Sequence, residues 1–160
     1  MKKPDVLQLI IDKLLVDLHI AQRAAQTAYE TATHEENIAE NKYDTLGLEA
    51  SYLAAGQARR VEEIRQSLML YQKLASVPYN DAKGIQPGDL ITLQNPQGAE
   101  QHLFLGPDAA GLKIQYAGHT ITVITSRAPL GQTLLGKQAG DEVEISVNGS
   151  RQSFEVTQIV

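Results

Sequence analysis

Five acidic residues crowd one stretch of this chain: Glu35, Glu36, Glu40, Asp44 and Glu49, with Lys42 the only base among them. Carboxylates gathered in this way offer oxygen ligands and negative charge, and they serve chemistry only if something carries them to a target. Glu36, Glu40 and Asp44 stand at i, i+4 and i+8. On one continuing helix they would share a face and repel one another. A turn near Asn41 would splay them apart. The bland reading is a solvated surface. Other sources of chemistry are scarce. There is no cysteine, so thiolate chemistry, disulfides and zinc–thiolate sites are excluded. His19, His102 and His119 have no partner at ligand spacing, and His34 stands alone near the acids.

The elements on either side explain how the acids are carried. Leu7, Ile11, Leu14, Leu18, Ala21, Ala25, Ala28 and Ala32 repeat in steps of four and three. So do Ala50, Ala54, Gln57, Val61, Ile64, Leu68, Tyr71 and Ala75. This is the spacing of a coiled-coil seam. Residues 5–75 contain no proline, only Gly47 and Gly56, and an abundance of strong helix formers. Folding one ladder on the other sets Leu18 against Ile64 and Ala28 against Ala54, with reversal between about Ala39 and Thr45. Each arm is expected to run about 45 Å at 1.5 Å per residue. Leucine and isoleucine fill its base and alanine its far half, which is therefore narrow and buries little area. Gln57 is a polar register-setter in the seam. Arg59 and Arg60 read as exposed charges.

The grammar changes at Val77-Pro78-Tyr79-Asn80, where proline ends the helix. Strands are predicted at Leu90–Leu93, Gln101–Leu105, Leu112–Tyr116, Thr120–Thr125, Glu142–Val147 and Ser153–Ile159. Turn signals separate them at Asn95-Pro96, Gly106-Pro107, Ala117-Gly118 and Asn148-Gly149. Pro129 to Gly136 reads as a short helix, with Ser126 as a cap and Gly136 as its stop. Asp141 is read as capping a turn. The fold class is thus α+β: an antiparallel coiled-coil hairpin over 1–76, a linker over 77–84, and a small α+β domain over 85–160.

Composition narrows the function further. At 42% hydrophobic and 21% charged the chain is globular, and its net charge of −5 argues against autonomous DNA binding. No apolar run approaches the roughly 20 residues of a membrane span. The basic pair Lys2-Lys3 is followed by Asp5, Asp12 and Asp17, so no signal peptide is expected. A cytoplasmic monomer is the expectation.

The stretch from Ser126 to Val143, with Pro129, the Gly136-Lys137 pair and the Gly140-Asp141 turn, resembles the C-terminal signature of the bacterial Gre transcript-cleavage factors. Glu40-Asn41 matches the same family at the hairpin tip. The resemblance implies an FKBP-like second domain that docks on RNA polymerase at its secondary channel. It further implies a rod that enters the channel, where tip acids help to hold a catalytic Mg²⁺ of the polymerase. Carboxylates supply the hard oxygens that Mg²⁺ requires. The family pattern is an Asp, a Glu three residues later and then Asn. One register places Glu40 at the first acid and Tyr43 at the second, with Asp44 adjacent. The other places Glu36 first and Glu40 second. Glu36, Glu40 and Asp44 are accordingly the candidate site, with Glu40 and Asp44 as the metal-facing pair. The chain is then a cofactor of the polymerase rather than an enzyme, and it belongs either with cleavage factors or with members that modulate transcription without cleavage. From a different class, an FKBP-like chaperone or prolyl isomerase with a helical clamp is the alternative. The absence of tryptophan and the presence of only two phenylalanines weigh against an aromatic isomerase pocket.

Overall fold

The computed structural model describes residues 1–34 and 45–160. The elements are α1 (Lys3–Thr33), α2 (Thr45–Lys73), β1 (Leu90–Gln94), β2 (Glu100–Leu105), β3 (Lys113–Tyr116), β4 (His119–Ile124), α3 (Pro129–Leu134), β5 (Glu142–Val147) and β6 (Ser150–Ile159). The class is α+β, a helical hairpin followed by a mixed six-stranded sheet. Two compact units divide the chain: Asp12–Met69, and Met1–Ile11 together with Leu70–Val160.

The first unit is built by the two ladders. Leu14, Ala21 and Ala28 are buried on α1, and Val61, Ile64 and Leu68 on α2. Leu18, Ala25, Ala32, Ala50, Ala54 and Gln57 are half-buried, as small or polar seam positions leave them. Arg59 and Arg60 are exposed. Arg60 reaches Glu63 at 3.7 Å, one turn on, where both are open to solvent and the pair adds little. Asp5 in the first turn of α1 and Lys73 in the last turn of α2 each complement the helix dipole at their end.

The second unit departs from the ladders. Val6 and Ile10 are fully buried there, whereas Leu7 and Ile11 are only half-buried. The apolar stripe of α1 therefore turns by about one residue at its base. Tyr71, the ladder's aromatic, is fully buried and lies 6.3 Å from Phe104 between ring centroids. Ala75 falls beyond α2 and is exposed.

The sheet runs β3-β4-β2-β1-β6-β5, with β2 and β4 parallel and all other pairs antiparallel. Alternate residues form two buried faces. Ile91, Leu93, Leu103, Leu105, Phe154 and Val156 face Ile85, Leu134 and Val143. Leu90, Phe104, Ile121 and Val123 occupy the opposite face and are also buried. Burial on both sides explains why β1 reads Leu-Ile-Thr-Leu without apolar–polar alternation. Asn148-Gly149 closes β5–β6 with φ of 51° and 80°, the doubly positive geometry of a two-residue hairpin turn. The short helix starts later than Ser126 suggests. Its N-cap is Ala128, without a side-chain cap, because Pro129 at the first turn needs no N–H partner.

One device occurs twice. Gln86-Pro87-Gly88-Asp89 leads into β1 and Gln138-Ala139-Gly140-Asp141 into β5. In each, the aspartate Oδ2 accepts from the glutamine backbone N–H at 2.8 Å. The glycine N–H donates to Leu105 in one and to Val156 in the other, both at 2.7 Å. Leu105 and Val156 donate back to Asp89 and Asp141 at 3.0 and 2.8 Å. Asp141 thus caps its turn as the sequence suggests.

Candidate functional site

The acids singled out by sequence, Glu36, Glu40 and Asp44, lie outside the described residues, as do Glu35, Asn41, Lys42 and Tyr43 and the expected reversal point. The structure describes what flanks them. The His34 N–H donates to the Glu30 carbonyl at 2.9 Å and closes α1. Across the interval, Glu49 is exposed near the start of α2, Gly47 is buried, and the Ser51 hydroxyl donates to the Gly47 carbonyl at 3.1 Å. Further down the arms, Ala24, Ala28, Ala50, Leu53 and Gln57 line a cavity of about 390 Å³ shared by α1 and α2. Small side chains leave this seam open, and on the same two helices Tyr29 and Tyr52 are 59% and 73% exposed.

The sheet-containing unit holds several polar groups of unusual environment. Lys3 Nζ lies 2.7 Å from Asp89 Oδ1 and donates to the Val77 carbonyl at 2.6 Å. Asp89 is already held by its turn, so the ion pair ties the first turn of α1 to the entrance of β1. The Tyr71 hydroxyl donates to the Asp108 carbonyl at 2.8 Å. Burial, helped by the nearby charge of Asp108, pushes the phenol well above its ordinary pKa. Asp108 also receives Arg127 at 2.9 Å.

Two histidines that sequence reading left isolated are neighbours in space. His102 on β2 and His119 on β4 have ring centroids 4.5 Å apart. Thr92 Oγ1 and His102 Nδ1 are 3.2 Å apart, and His102 Nε2 is 3.8 Å from Glu100. Burial and then the adjacent His119 lower the His102 pKa, against a smaller upward pull from Glu100. Among the described residues no group of three or more His, Cys, Asp or Glu is arranged to hold a metal ion. Both phenylalanines, Phe104 and Phe154, are buried in the core.

Residues 81–160, half of the chain, match the family described as transcription elongation factor, GreA/GreB, C-terminal. The chain belongs to the GreA/GreB family. No curated protein matches its sequence. Among solved structures, GreA factor homolog 1 (Gfh1) of Thermus thermophilus is 17% identical, with 94% of each chain covered and a TM-score of 0.39. Thermus aquaticus Gfh1 is 17% identical, with 92% of each chain covered and a TM-score of 0.41. The elongation factor GreA/GreB from Nitrosomonas europaea is 16% identical over 70% of this chain and 91% of its own, with a TM-score of 0.37. The Gre-family segment contains the whole sheet and both Asp108 and Asp141. Lys3 and Tyr71 lie outside it, although they are bonded to it. Among the described residues no helix is long and apolar enough to cross a membrane.

Sequence reasoning placed Tyr71 in the seam but missed its bond to Asp108, and it missed Lys3, Asp89 and the histidine pair. The one available signal was the doubled Gln-X-Gly-Asp string, which marks two equivalent strand entrances. Lys3 stands 86 positions from its partner and carries no local mark of it.

Proposed function

We propose that this Gre-family chain is a transcription factor of bacterial RNA polymerase, acting in the cytoplasm as a cofactor rather than as an enzyme. In this reading the segment 85–160 docks at the rim of the secondary channel. The segment 1–76 reaches inward as the rod, and 77–84 joins them. Glu36, Glu40 and Asp44 at the far end of the hairpin approach the polymerase active site and modulate elongation or initiation there, with stimulated cleavage of backtracked RNA as one form of that effect. The family match over residues 81–160 carries the proposal.

Donor chemistry is compatible with the Mg²⁺ that the reading involves. Glu36, Glu40 and Asp44 offer only carboxylate oxygens, the hard ligands that Mg²⁺ takes. Mg²⁺ in such a site polarises phosphate oxygens and neutralises developing charge. The chain's own part is to present negative oxygens at the end of a narrow support. The alanine half of the hairpin suits that task, because it adds little girth.

Capture from bacterial lysate on the full chain tests the partner, with core RNA polymerase as the expected main species. Addition of the chain to a stalled, backtracked elongation complex tests the activity. Absence of polymerase from the captured material, with no change in transcript shortening or initiation, overturns the proposal.

A further inference from the structure

The hairpin β5–β6 outruns the rest of the sheet. β6 pairs with β5 along Ser150 to Glu155, but its ladder with β1 stops at Gln94–Glu155. From Ser150 to Phe154 the β1 side of β6 therefore has no strand beside it. The direction of its backbone groups follows from the bonds at the other end. Val156 exchanges both hydrogen bonds with Gly140 and Asp141, toward β5. Antiparallel strands alternate sides residue by residue, so Phe154 and Gln152 also point toward β5. Ser153 and Arg151 point the other way. Their N–H and C=O groups meet no backbone partner among the described residues.

That open edge is the floor of a cavity of about 450 Å³. Four consecutive β6 residues, Arg151 to Phe154, line it together with Gln101 and the Asn95–Gln97 turn. Consecutive strand residues point to opposite faces. A cavity touched by four in a row thus follows the edge of the strand rather than one of its faces. The turn that carries β1 away forms the wall, and its Pro96 contributes no competing N–H. The side chains of Gln101, Arg151 and Gln152 make no hydrogen bond or ion pair among the described residues.

We propose that this slot accepts an extended, acidic segment of a partner protein as an added β-strand. Only an extended backbone spaces its donors and acceptors to match Arg151 and Ser153, since a helix has spent its own internally. The segment runs antiparallel to β6, as β1 does, and the free stretch admits about five residues, roughly 17 Å. Amide side chains around it match a peptide's mixed donors and acceptors. Arg151 is the only charged residue of the lining, which sets the preference for a carboxylate. This surface lies on the sheet and is independent of the acidic hairpin tip.

The test is an NMR titration of the ¹⁵N-labelled full chain with three capped ten-residue probes. One alternates valine and threonine around two central aspartates, the second replaces those aspartates with asparagine, and the third is an alanine-rich helical peptide of the same charge as the first. The extended aspartate peptide is expected to give saturable shifts at the Arg151 and Ser153 amides and to slow their exchange about tenfold. The asparagine peptide is expected to bind about threefold more weakly, and the helical peptide not at all. Ser153→Pro removes a slot-facing N–H without touching the β5 ladder and is expected to weaken binding about tenfold. Unchanged protection of the Val143 and Ile145 amides, whose pairs Phe154 and Gln152 face β5, verifies that ladder. Arg151→Glu abolishes the aspartate preference and retains binding of the asparagine peptide, which tests the slot even if the proline variant does not fold. Absence of saturable shifts at Arg151 and Ser153 overturns the proposal. So does equal binding of the helical peptide, or pairing of two copies of this chain through the same edge.

Discussion

Lys3 Nζ and Asp89 Oδ1 stand 2.7 Å apart with side chains only 5% and 6% exposed. A pair so deeply enclosed holds its geometry because each charge has further partners: the Val77 carbonyl for Lys3 and the Gln86 N–H for Asp89. Removing one partner strands the other charge in a dry site, at a cost of about 3–5 kcal/mol. Asp89→Asn and Lys3→Met are each expected to lower urea stability by an amount of that order. The double variant should lose less than the two losses summed. Additive losses would show that the two charges are energetically independent.

Tyr71 governs the alkaline limb of stability. Its pKa in the folded chain is raised above the ordinary value near 10, chiefly by burial. The neutral phenol is thus favoured by folding. Its contribution is complete below pH 10 and declines as pH rises beyond the unfolded value toward the folded one. Tyr71→Phe is expected to cost about 1 kcal/mol at neutral pH, through the lost bond to Asp108, and to flatten the decline above pH 10. Chemical denaturation between pH 7 and 11.5 decides this; parallel curves for the two proteins would refute it.

Gly106 exists for that same ring. A Cβ built at this position meets the Tyr71 hydroxyl, its Cζ carbon at 2.9 Å and Val123 Cγ1 at 3.1 Å. Gly106→Ala must displace a fully buried tyrosine, at a cost of about 1–3 kcal/mol. In a Tyr71→Phe background the penalty should shrink, since the nearest contact is the hydroxyl. Thermal melts of the four proteins measure the difference.

His102 is held toward its neutral form. Because its folded pKa is below the unfolded value near 6.5, the stability it contributes is present above that value and is lost as pH falls through the folded pKa. Imidazole titration by NMR should show His119→Asn moving His102 upward and Glu100→Gln moving it downward. The opposite ordering would mean that the ring contact does not set its charge.

Glu36→Gln, Glu40→Gln and Asp44→Asn combined are expected to abolish the effect of the chain on transcription. Polymerase binding should persist, and each substitution should shift stability by no more than about 0.5 kcal/mol. Run-off and cleavage assays across a Mg²⁺ titration give the readout. Full activity in the triple variant would reduce these acids to a solvated tip.

What the sequence disclosed followed from locality. The ladders announced α1 and α2 because the apolar residues of each seam recur about every turn along their own helix. Asn148-Gly149 announced its hairpin because both residues tolerate positive φ. Boundaries of the strands came within a few residues, as with β6, whose start at Ser150 rather than Ser153 follows from that turn. Long-range pairings were not legible. Lys3 finds Asp89 only once the sheet exists, and His102 finds His119 only through the parallel register of β2 with β4. The base of α1 was misassigned by one residue because Leu7 and Val6 are equally apolar, and only burial distinguishes them.

The doubled Gln-X-Gly-Asp turn gives this chain an internal control. Both copies tie an aspartate into the same ring of backbone bonds, yet only Asp89 is given a cation; Asp141 has no ion pair among the described residues. Comparing Asp89→Asn with Asp141→Asn subtracts the turn from the charge within a single molecule. The remainder is what one enclosed lysine adds to a motif that is otherwise built the same way at the heads of β1 and β5.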